Sequence, residues 1–586
     1  MAQTTQEGKA PRRICIVGGV AGGASCAARL RRMDEFAKIT MFERGPYVSF
    51  ANCGLPYYVG EVIQKQDSLL VATPKLFLDR FDIDVRVGTE VMSFDPKAKT
   101  LVARNVTTGE TTTEPYDVLV LAPGAAALKP PIPGIDLPAV FTVKTIPDTE
   151  KLKAWMEGVG AKRAVVVGGG FIGVEMMENL HGLGLHVSVL EMLPQVLPPL
   201  DRELANEVAN TIRAKGVELV LGDGVQAFEP GETGKGVVVV SASGRRLPAD
   251  VVILSLGVRP ESGLAKAAGL SLGPRGGIIV DEYGLTSDPN VYAVGDAVEV
   301  TDIVTGDHVM VPLAAPASHA GRTVADCIAG RKTKFRGVQA TAVCRVFDLT
   351  VAMTGASEKG LEMRRQRLGD DAPLHDIPAP TPRCVRIHPG HHVSYFPGAK
   401  PIHFKLVFDM GTGRVLGAQA VGVEGVEKRV DVVSMCLQMK GTVYDLEEAE
   451  LCYAPQFGSA KDPVNIAGFV AGNICRGDVP LVRWRDVDSM IAKGELLVVD
   501  VRSVSEVDKF PSGYPGAINI PLPELRERIG ELPQDKACAM LCRVGQRAYY
   551  AVRLARQRGI DARLLSGGLV TRVMLQGGVS SDIPTK

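Results

Sequence analysis

Short apolar runs that end abruptly on glycine recur along this chain. Arg13-Ile14-Cys15-Ile16-Val17 is apolar and partly β-branched, then breaks at Gly18-Gly19-Val20-Ala21-Gly22-Gly23 into a stretch rich in Ala, Arg and Leu. That pattern predicts strand, glycine turn and helix. A second strand, Lys38 to Phe42, ends at Glu43, about 20 residues past the last glycine, where an acidic side chain accepts hydrogen bonds from ribose hydroxyls. The unit repeats as Ala164 to Val167, the turn Gly168-Gly169-Gly170-Phe171-Ile172-Gly173, a helix, and a strand Val187 to Leu190 closed by Glu191. Two dinucleotide sites are therefore expected. The second turn has the full G-x-G-x-x-G, whereas the first carries Val20 where the middle glycine lets the backbone approach a pyrophosphate. Two further runs, Asp117-Val118-Leu119-Val120-Leu121-Ala122-Pro123-Gly124 and Asn290-Val291-Tyr292-Ala293-Val294-Gly295-Asp296, each read as a strand running into a tight turn. Asp296 falls just past its strand, where ligands of parallel α/β sheets bind.

Beyond residue 335 the glycine turns stop, and after the Gly-containing connector Ala467 to Pro480 another α/β pattern begins. It runs from the strand Leu496 to Val499, closing on Asp500-Val501-Arg502, through Gly516-Ala517-Ile518-Asn519-Ile520-Pro521 to Ala539-Met540-Leu541-Cys542-Arg543-Val544-Gly545-Gln546-Arg547. At roughly 150 residues per domain, 586 residues imply about four folding units. Charge is balanced, 66 Lys+Arg against 66 Asp+Glu, which removes any broad attraction to nucleic acid or an acidic membrane and leaves small-molecule partners. Met1 to Arg13 is polar and lacks the apolar core of a signal peptide, and later apolar runs are broken by Gly, Pro or charge, so a soluble cytoplasmic protein without a membrane span is expected. The 11 cysteines are odd in number and scattered, which points to neither a disulfide framework nor a metal site. Cys15 and Cys26 read as reduced core residues; Cys53 and Cys542 have unusual surroundings.

Over residues 12 to 330 the order of motifs resembles the two-dinucleotide-fold flavoprotein disulfide reductases. The resemblance implies two Rossmann-like domains in an α/β fold, an FAD-binding domain at 12–150 and 285–334 with an NAD(P)H-binding domain at 151–284. It places Gly18, Gly19, Ala21, Gly22, Gly23, Glu43, Arg44, Asn52, Val91, Ala122, Gly124, Gly257, Gly295, Asp296 and Ala315 at the cofactors, with Tyr453 also near the flavin. NADH, with NADPH as the alternative, would lie on Gly168, Gly169, Gly170, Phe171, Ile172 and Gly173. Glu191 favours NADH, because an acid there accepts from a ribose 2′-OH and repels a 2′-phosphate.

Ser49-Phe50-Ala51-Asn52-Cys53-Gly54-Leu55-Pro56-Tyr57 resembles the S-F-x-x-C-G motif of the single-cysteine branch of that family. With no second cysteine nearby, Cys53 works alone, and a lone thiolate stores oxidising equivalents as a mixed disulfide, a persulfide or a sulfenic acid. The sulfenic-acid members, NADH oxidases and peroxidases, carry a His in the first glycine turn where this chain has Ala21. The Asn before and Leu-Pro-Tyr after the cysteine are instead similar to coenzyme A disulfide reductases and persulfide reductases. By that resemblance Arg32, Ser49, Asn52, Lys75, His319 and Lys461 line a coenzyme A site, where cations meet phosphates. Residues 335–465 would form an α+β dimerisation domain that brings Tyr395 and Tyr453 to Cys53 of the other subunit of a homodimer; the usual neighbour of Tyr395 is a second Tyr, here Phe396.

After a linker at 466–480, residues 481–586 resemble a rhodanese domain with Cys542 at a helix N-terminus, where backbone N–H groups and Arg547 favour thiolate or persulfide. Its six-residue loop has the length associated with sulfur transfer. Ser512-Gly513-Tyr514-Pro515-Gly516 departs from the usual G-H-I-P-G by one residue and by its missing His. The expected activity is NAD(P)H-dependent, FAD-mediated reduction of coenzyme A persulfide, polysulfide or coenzyme A disulfide at Cys53, with Cys542 carrying sulfane sulfur. The rivals are a Cys53 sulfenic-acid oxidase or peroxidase, and a sulfur-relay binding protein with a vestigial flavin.

Overall fold

The computed structural model describes residues 11–231 and 236–583, so the polar N-terminal stretch falls outside it as far as residue 10. The chain forms two compact units, Met1–Leu190 with Gly224–Val338, and Glu191–Asp223 with Gln339–Lys586.

In the first unit one parallel sheet has the order Val291–Ala293, Val118–Leu121, Arg13–Val17, Lys38–Phe42, Asp84–Arg86. Both faces are covered at its centre, which is why the inner strands Arg13–Val17 and Val118–Leu121 read as continuous apolar runs, while the edge strand Asp84–Arg86 is polar. Ile14 and Ile16 pack with Ala24, Cys26, Ala27 and Leu30 of helix Ala21–Arg31 and with Val324 of helix Ala314–Ile328. Cys15 and Val17 point the other way, onto Val91, Phe94, Leu101 and Ala103 of an antiparallel sheet, Thr89–Asp95, Thr100–Asn105 and Thr111–Pro115. Burial pushes the thiols of Cys15 and Cys26 up to about 12, so both are protonated core residues. A second parallel sheet centres on Arg163–Val167, flanked by His186–Glu191 and Val251–Leu254, with Val140–Phe141 outside the latter.

The second unit holds a five-stranded antiparallel sheet in the order Ala342–Val346, Leu349–Gly355, Val415–Gly422, Ile402–Asp409, Pro382–Ile387. Helices Val426–Gln438 and Pro463–Cys475 belong to the same unit. Helix Arg202–Ala214 belongs there too, and it is tied in by charge. Lys405, almost fully buried, contacts Asp201 and Glu203 at 2.8 Å and Glu358 at 2.7 Å, and Arg386 bonds Glu203 and Glu358 at 2.6 Å each. A buried cation needs this many partners to offset its lost hydration. The C-terminal part is a parallel sheet, Ile518–Asn519, Leu496–Asp500, Ala537–Leu541, Ala562–Leu564, with helix Gln546–Arg556 packed on its two last strands. No described helix is long and apolar enough to cross a membrane, and no cluster of His, Cys, Asp and Glu suited to a metal ion occurs among the described residues.

Candidate active site

The glycine turn after Arg13–Val17 is forced by contact. Gly18 has φ +94° and a Cβ there would lie 2.0 Å from the Ala122 carbonyl, while a Cβ on Gly23 would lie 1.9 Å from the Gly18 carbonyl. Only glycine permits both. Val20 is different: it precedes helix Ala21–Arg31 at φ −98°, as Gly170 precedes helix Phe171–Gly182 at φ −75°, so the middle position needs no left-handed backbone. Glu43, at the end of the neighbouring strand, accepts from Gly19 N–H at 3.0 Å and Gly45 N–H at 2.8 Å. Gly124 and Gly295 both sit in left-handed turns beyond the two strands on the other side; space is open over Gly124, and a Cβ on Gly295 would only touch Ala317 at 3.9 Å. Asp296 follows. Burial raises its carboxyl above the usual range, and Lys144 Nζ, 3.6 Å away, opposes the rise.

These groups all gather at the carboxyl ends of one parallel sheet, a cradle that fits the diphosphate and sugar hydroxyls of a dinucleotide. Ala315 starts the helix Ala314–Ile328, and Val91 is buried in the antiparallel sheet. Arg44 is exposed and pairs with Glu261 at 3.0 Å and Glu90 at 3.8 Å.

The second turn repeats the contact: a Cβ on Gly168 would meet the Ser255 carbonyl at 2.4 Å, and one on Gly173 the Gly168 carbonyl at 2.0 Å. Space is open over Gly170 and Gly257, and the buried hydroxyl of Ser255 has no hydrogen-bond partner. An open helix N-terminus with an unsatisfied hydroxyl beside it suits a second dinucleotide. Phe171 and Ile172 open the helix, with Ile172 exposed. Glu191 is buried and accepts from Leu193 N–H at 2.7 Å. One turn into the helix stands Glu175, which no sequence motif singled out. Burial pushes its carboxyl up to about 7, and the Tyr57 hydroxyl lies 3.5 Å away.

Tyr57 belongs to the short helix Leu55–Val59, which follows the 3-10 turn Asn52–Gly54 that presents Cys53 to solvent. All 11 cysteines are free, so Cys53 has no disulfide partner. Ser49 enters this segment at φ +47°, held there by its N–H on the Gly19 carbonyl at 2.7 Å and its own carbonyl accepting from Val71 at 2.9 Å. Ser49 lines a groove of about 410 Å³ together with Arg32 and His319, and with Arg29 and Arg322, which the sequence reading missed. Arg29 is matched by Asp326 at 2.8 Å. Lys75, exposed and outside this lining, pairs with Asp79 one turn along its helix.

In the second unit the hydroxyls of Tyr395 and Tyr453 are 2.8 Å apart on an exposed surface, while Phe396 packs edge-on against His392. Lys461 is exposed, just before Asp462, which caps helix Pro463–Cys475.

Cys542 follows strand Ala537–Leu541, and its sulfur accepts from the N–H groups of Gly545 at 3.2 Å and Ala548 at 3.4 Å. Only 1% of the residue is exposed. Arg547 is close enough to feel the charge of Cys542, and both carboxylate oxygens of Glu506 hold its guanidinium at 2.7 Å each, a pairing that keeps Glu506 down at about 2. The backbone therefore supplies the direct donors to sulfur. The segment lacking the usual His is secured by Arg572, whose guanidinium stacks 3.8 Å from the Tyr514 ring centroid and donates to the Gly513 carbonyl at 3.0 Å.

Two dinucleotide cradles on parallel sheets, with a solvent-facing cysteine beside the first, define an oxidoreductase that moves electrons between a nicotinamide and sulfur through a flavin. The chain belongs to the pyridine nucleotide-disulphide oxidoreductase family, whose model matches residues 12–321; the dimerisation domain of that family matches 341–462 and a rhodanese-like domain 484–571. It is an FAD- and NAD(H)-binding enzyme. The structure of reduced CoADR-RHD from Bacillus anthracis is 45% identical with a TM-score of 0.90, covering 96% of this chain and 98% of that one. The NAD-dependent persulfide reductase from A. fulgidus is 36% identical with a TM-score of 0.83, covering 96% and 99%. The coenzyme A disulfide reductase of Staphylococcus haemolyticus is 32% identical over 464 residues, 79% of this chain and all of that one.

Proposed function

We propose that the enzyme uses NADH to reduce a coenzyme A persulfide, a polysulfide or coenzyme A disulfide at Cys53, and that Cys542 carries sulfane sulfur to or from an acceptor thiol. The observation that carries this reading is the lone, exposed Cys53 on a segment whose Ser49 lines a groove bearing Arg29, Arg32, His319 and Arg322. A cationic groove beside a thiol suits a thiol substrate that carries phosphates. The chemistry supplied by bound FAD is two-electron transfer from NADH to sulfur.

Gly18, Gly19, Glu43 and Asp296 would hold FAD, and Gly168, Gly170, Gly173 and Glu191 would hold NADH. The Cys53 thiolate attacks the outer sulfur of the substrate; a new S–S bond forms as the old one breaks, and the departing thiolate takes a proton. The exposed Tyr395–Tyr453 pair is the donor we assign, reaching Cys53 from the other subunit of a homodimer. The domains follow as FAD-binding at 12–150 and 285–334, NADH-binding at 151–284, dimerisation at 335–465 and rhodanese at 481–586, in a cytoplasmic enzyme.

Anaerobic turnover with each sulfur substrate, following NADH loss and sulfide release, tests the reading. Cys53→Ser should leave flavin reduction by NADH intact while sulfur-substrate turnover falls about 10³-fold or more. Rapid persulfide reduction by that variant would refute the role of Cys53. NADH consumption that requires peroxide or oxygen and no sulfur substrate would point to sulfenic-acid chemistry instead.

A further inference from the structure

The second unit contains a cleft of about 530 Å³ that neither cysteine lines. Its floor is apolar, with Met410 and Ile474 from the dimerisation part and Val479 and Met490 from the linker and C-terminal part. Its rim carries Arg383, Arg483, Arg556 and Arg563 against Asp486 and Asp561. Both acids are already matched, Asp486 by Arg483 at 2.9 Å and Asp561 by Arg563 at 2.7 Å. That leaves two cations. Arg383 donates to the carbonyl of Pro382 at 2.9 Å, and neither it nor Arg556 has a carboxylate within ion-pair distance among the described residues.

Arg383 is also crowded by its own kind. Burial and the nearby Arg483 and Arg485 guanidiniums push its pKa down, a fall that the more weakly felt Asp409 does not cancel. Like charges gathered in a half-buried cleft are unfavourable, and a bound anion would reverse the sign of that interaction. Two guanidiniums outside any ion pair, each a planar fork of donors, suit the oxygens and roughly −2 charge of a phosphate ester better than a single carboxylate. The volume falls within the roughly 300–1,000 Å³ typical of small-molecule sites. An apolar floor beneath a cationic rim asks for a ligand with an apolar body and one anionic end.

We propose that this cleft binds a small organic phosphate, its phosphate recognised by Arg383 and Arg556 and its body resting on Met410 and Met490. Because both the dimerisation part and the C-terminal part line the cleft, occupancy would tie the two together and stabilise them by mass action.

Trp484, between Arg483 and Arg485, reports on the site: its indole N–H donates to the Ser566 carbonyl at 2.9 Å, and Trp155 is the only other tryptophan in the chain. The full-length, FAD-loaded Trp155→Phe protein is titrated with AMP, adenosine and inorganic phosphate in separate arms while Trp484 emission is followed. AMP should give a saturable change, with adenosine and phosphate each at least about tenfold weaker. Arg383→Ala with Arg556→Ala should move the AMP midpoint by about tenfold or more, with KM for NADH unchanged. Arg556→Glu alone, on an exposed side chain with no carboxylate within ion-pair distance among the described residues, should weaken AMP at least as much and decides the matter should the double variant fold poorly. No saturable AMP signal, or an AMP midpoint unmoved by these changes, overturns the proposal. Phosphate alone binding as tightly as AMP overturns the role of the apolar floor.

Discussion

Ser49 holds φ +47°, a conformation that a serine keeps only where its surroundings impose it. Here the Gly19 carbonyl and the Val71 N–H impose it, so the backbone of the cysteine segment is pinned to the first glycine turn before it reaches Cys53. Glu175 is the second residue whose surroundings set its chemistry. Its folded carboxyl sits at about 7, above the ordinary 4.5, because burial disfavours the charge. Between those values the folded state keeps a proton that the unfolded state has lost, so stability is greatest below the lower value and falls as pH rises toward the upper one. Glu175→Gln should therefore flatten the fall in Tm between about pH 5 and 8, as read by thermal unfolding of the FAD-loaded protein; an unchanged slope would show that the carboxyl ionises normally. Glu191, proposed to hold NADH, bears on a different property. Glu191→Ala should narrow the preference for NADH over NADPH, measured as the ratio of kcat/KM values, since one carboxylate both accepts from a 2′-OH and repels a 2′-phosphate.

The two glycine turns were readable from sequence because their spacing encodes local backbone contacts, Gly23 on Gly18 and Gly173 on Gly168. Cys53 and Cys542 were readable for the same reason, each inside a contiguous motif. Lys144, Arg29, Arg322 and Glu175 were not, since they reach their places through packing between elements distant in sequence and leave no local pattern. Arg547 was placed on the correct loop, yet its partner Glu506 lies 41 residues away and could not be foreseen. The charged cluster that joins the start of helix Arg202–Ala214 to strands Pro382–Ile387 and Ile402–Asp409 is equally invisible to a linear reading. Lys405 there serves three acids, Asp201, Glu203 and Glu358. Lys405→Met should cost about 3–5 kcal/mol, because it strands buried carboxylates, and chemical denaturation would read the loss. Acid acts on the same cluster from the other side. Burial alone would raise Glu358, but Lys405 and Arg386 pull it down to about 2. Its contribution is thus present above its ordinary 4.5 and disappears as pH falls through about 2.

At the scale of the whole molecule, the proposed sharing of active sites has a direct test in mixed dimers. A Cys53→Ser subunit paired with a Tyr453→Phe subunit would contain one site with both native residues and one with neither. Provided that Tyr453→Phe alone is severely impaired, activity should return to about half of the native level per mixed dimer; mixtures that exchange subunits yet stay inactive would place both residues in one chain. The contrast between the two proposed working cysteines, one facing solvent and one with 1% exposure, bears on survival rather than catalysis. A persulfide is easily oxidised, and damage follows thiolate character and access. If Cys542 is the proposed carrier, a sulfur kept behind the fold would outlive an encounter with peroxide that would consume an open persulfide, and each hand-over would need a local opening. Iodoacetamide followed by mass spectrometry of the FAD-loaded protein should accordingly modify Cys53 well before Cys542, and mild denaturant should raise the Cys542 rate far more than the Cys53 rate. The enzyme would then lose its flavin-side thiol first under oxidative attack and retain a loaded carrier that no longer has a reductase to serve.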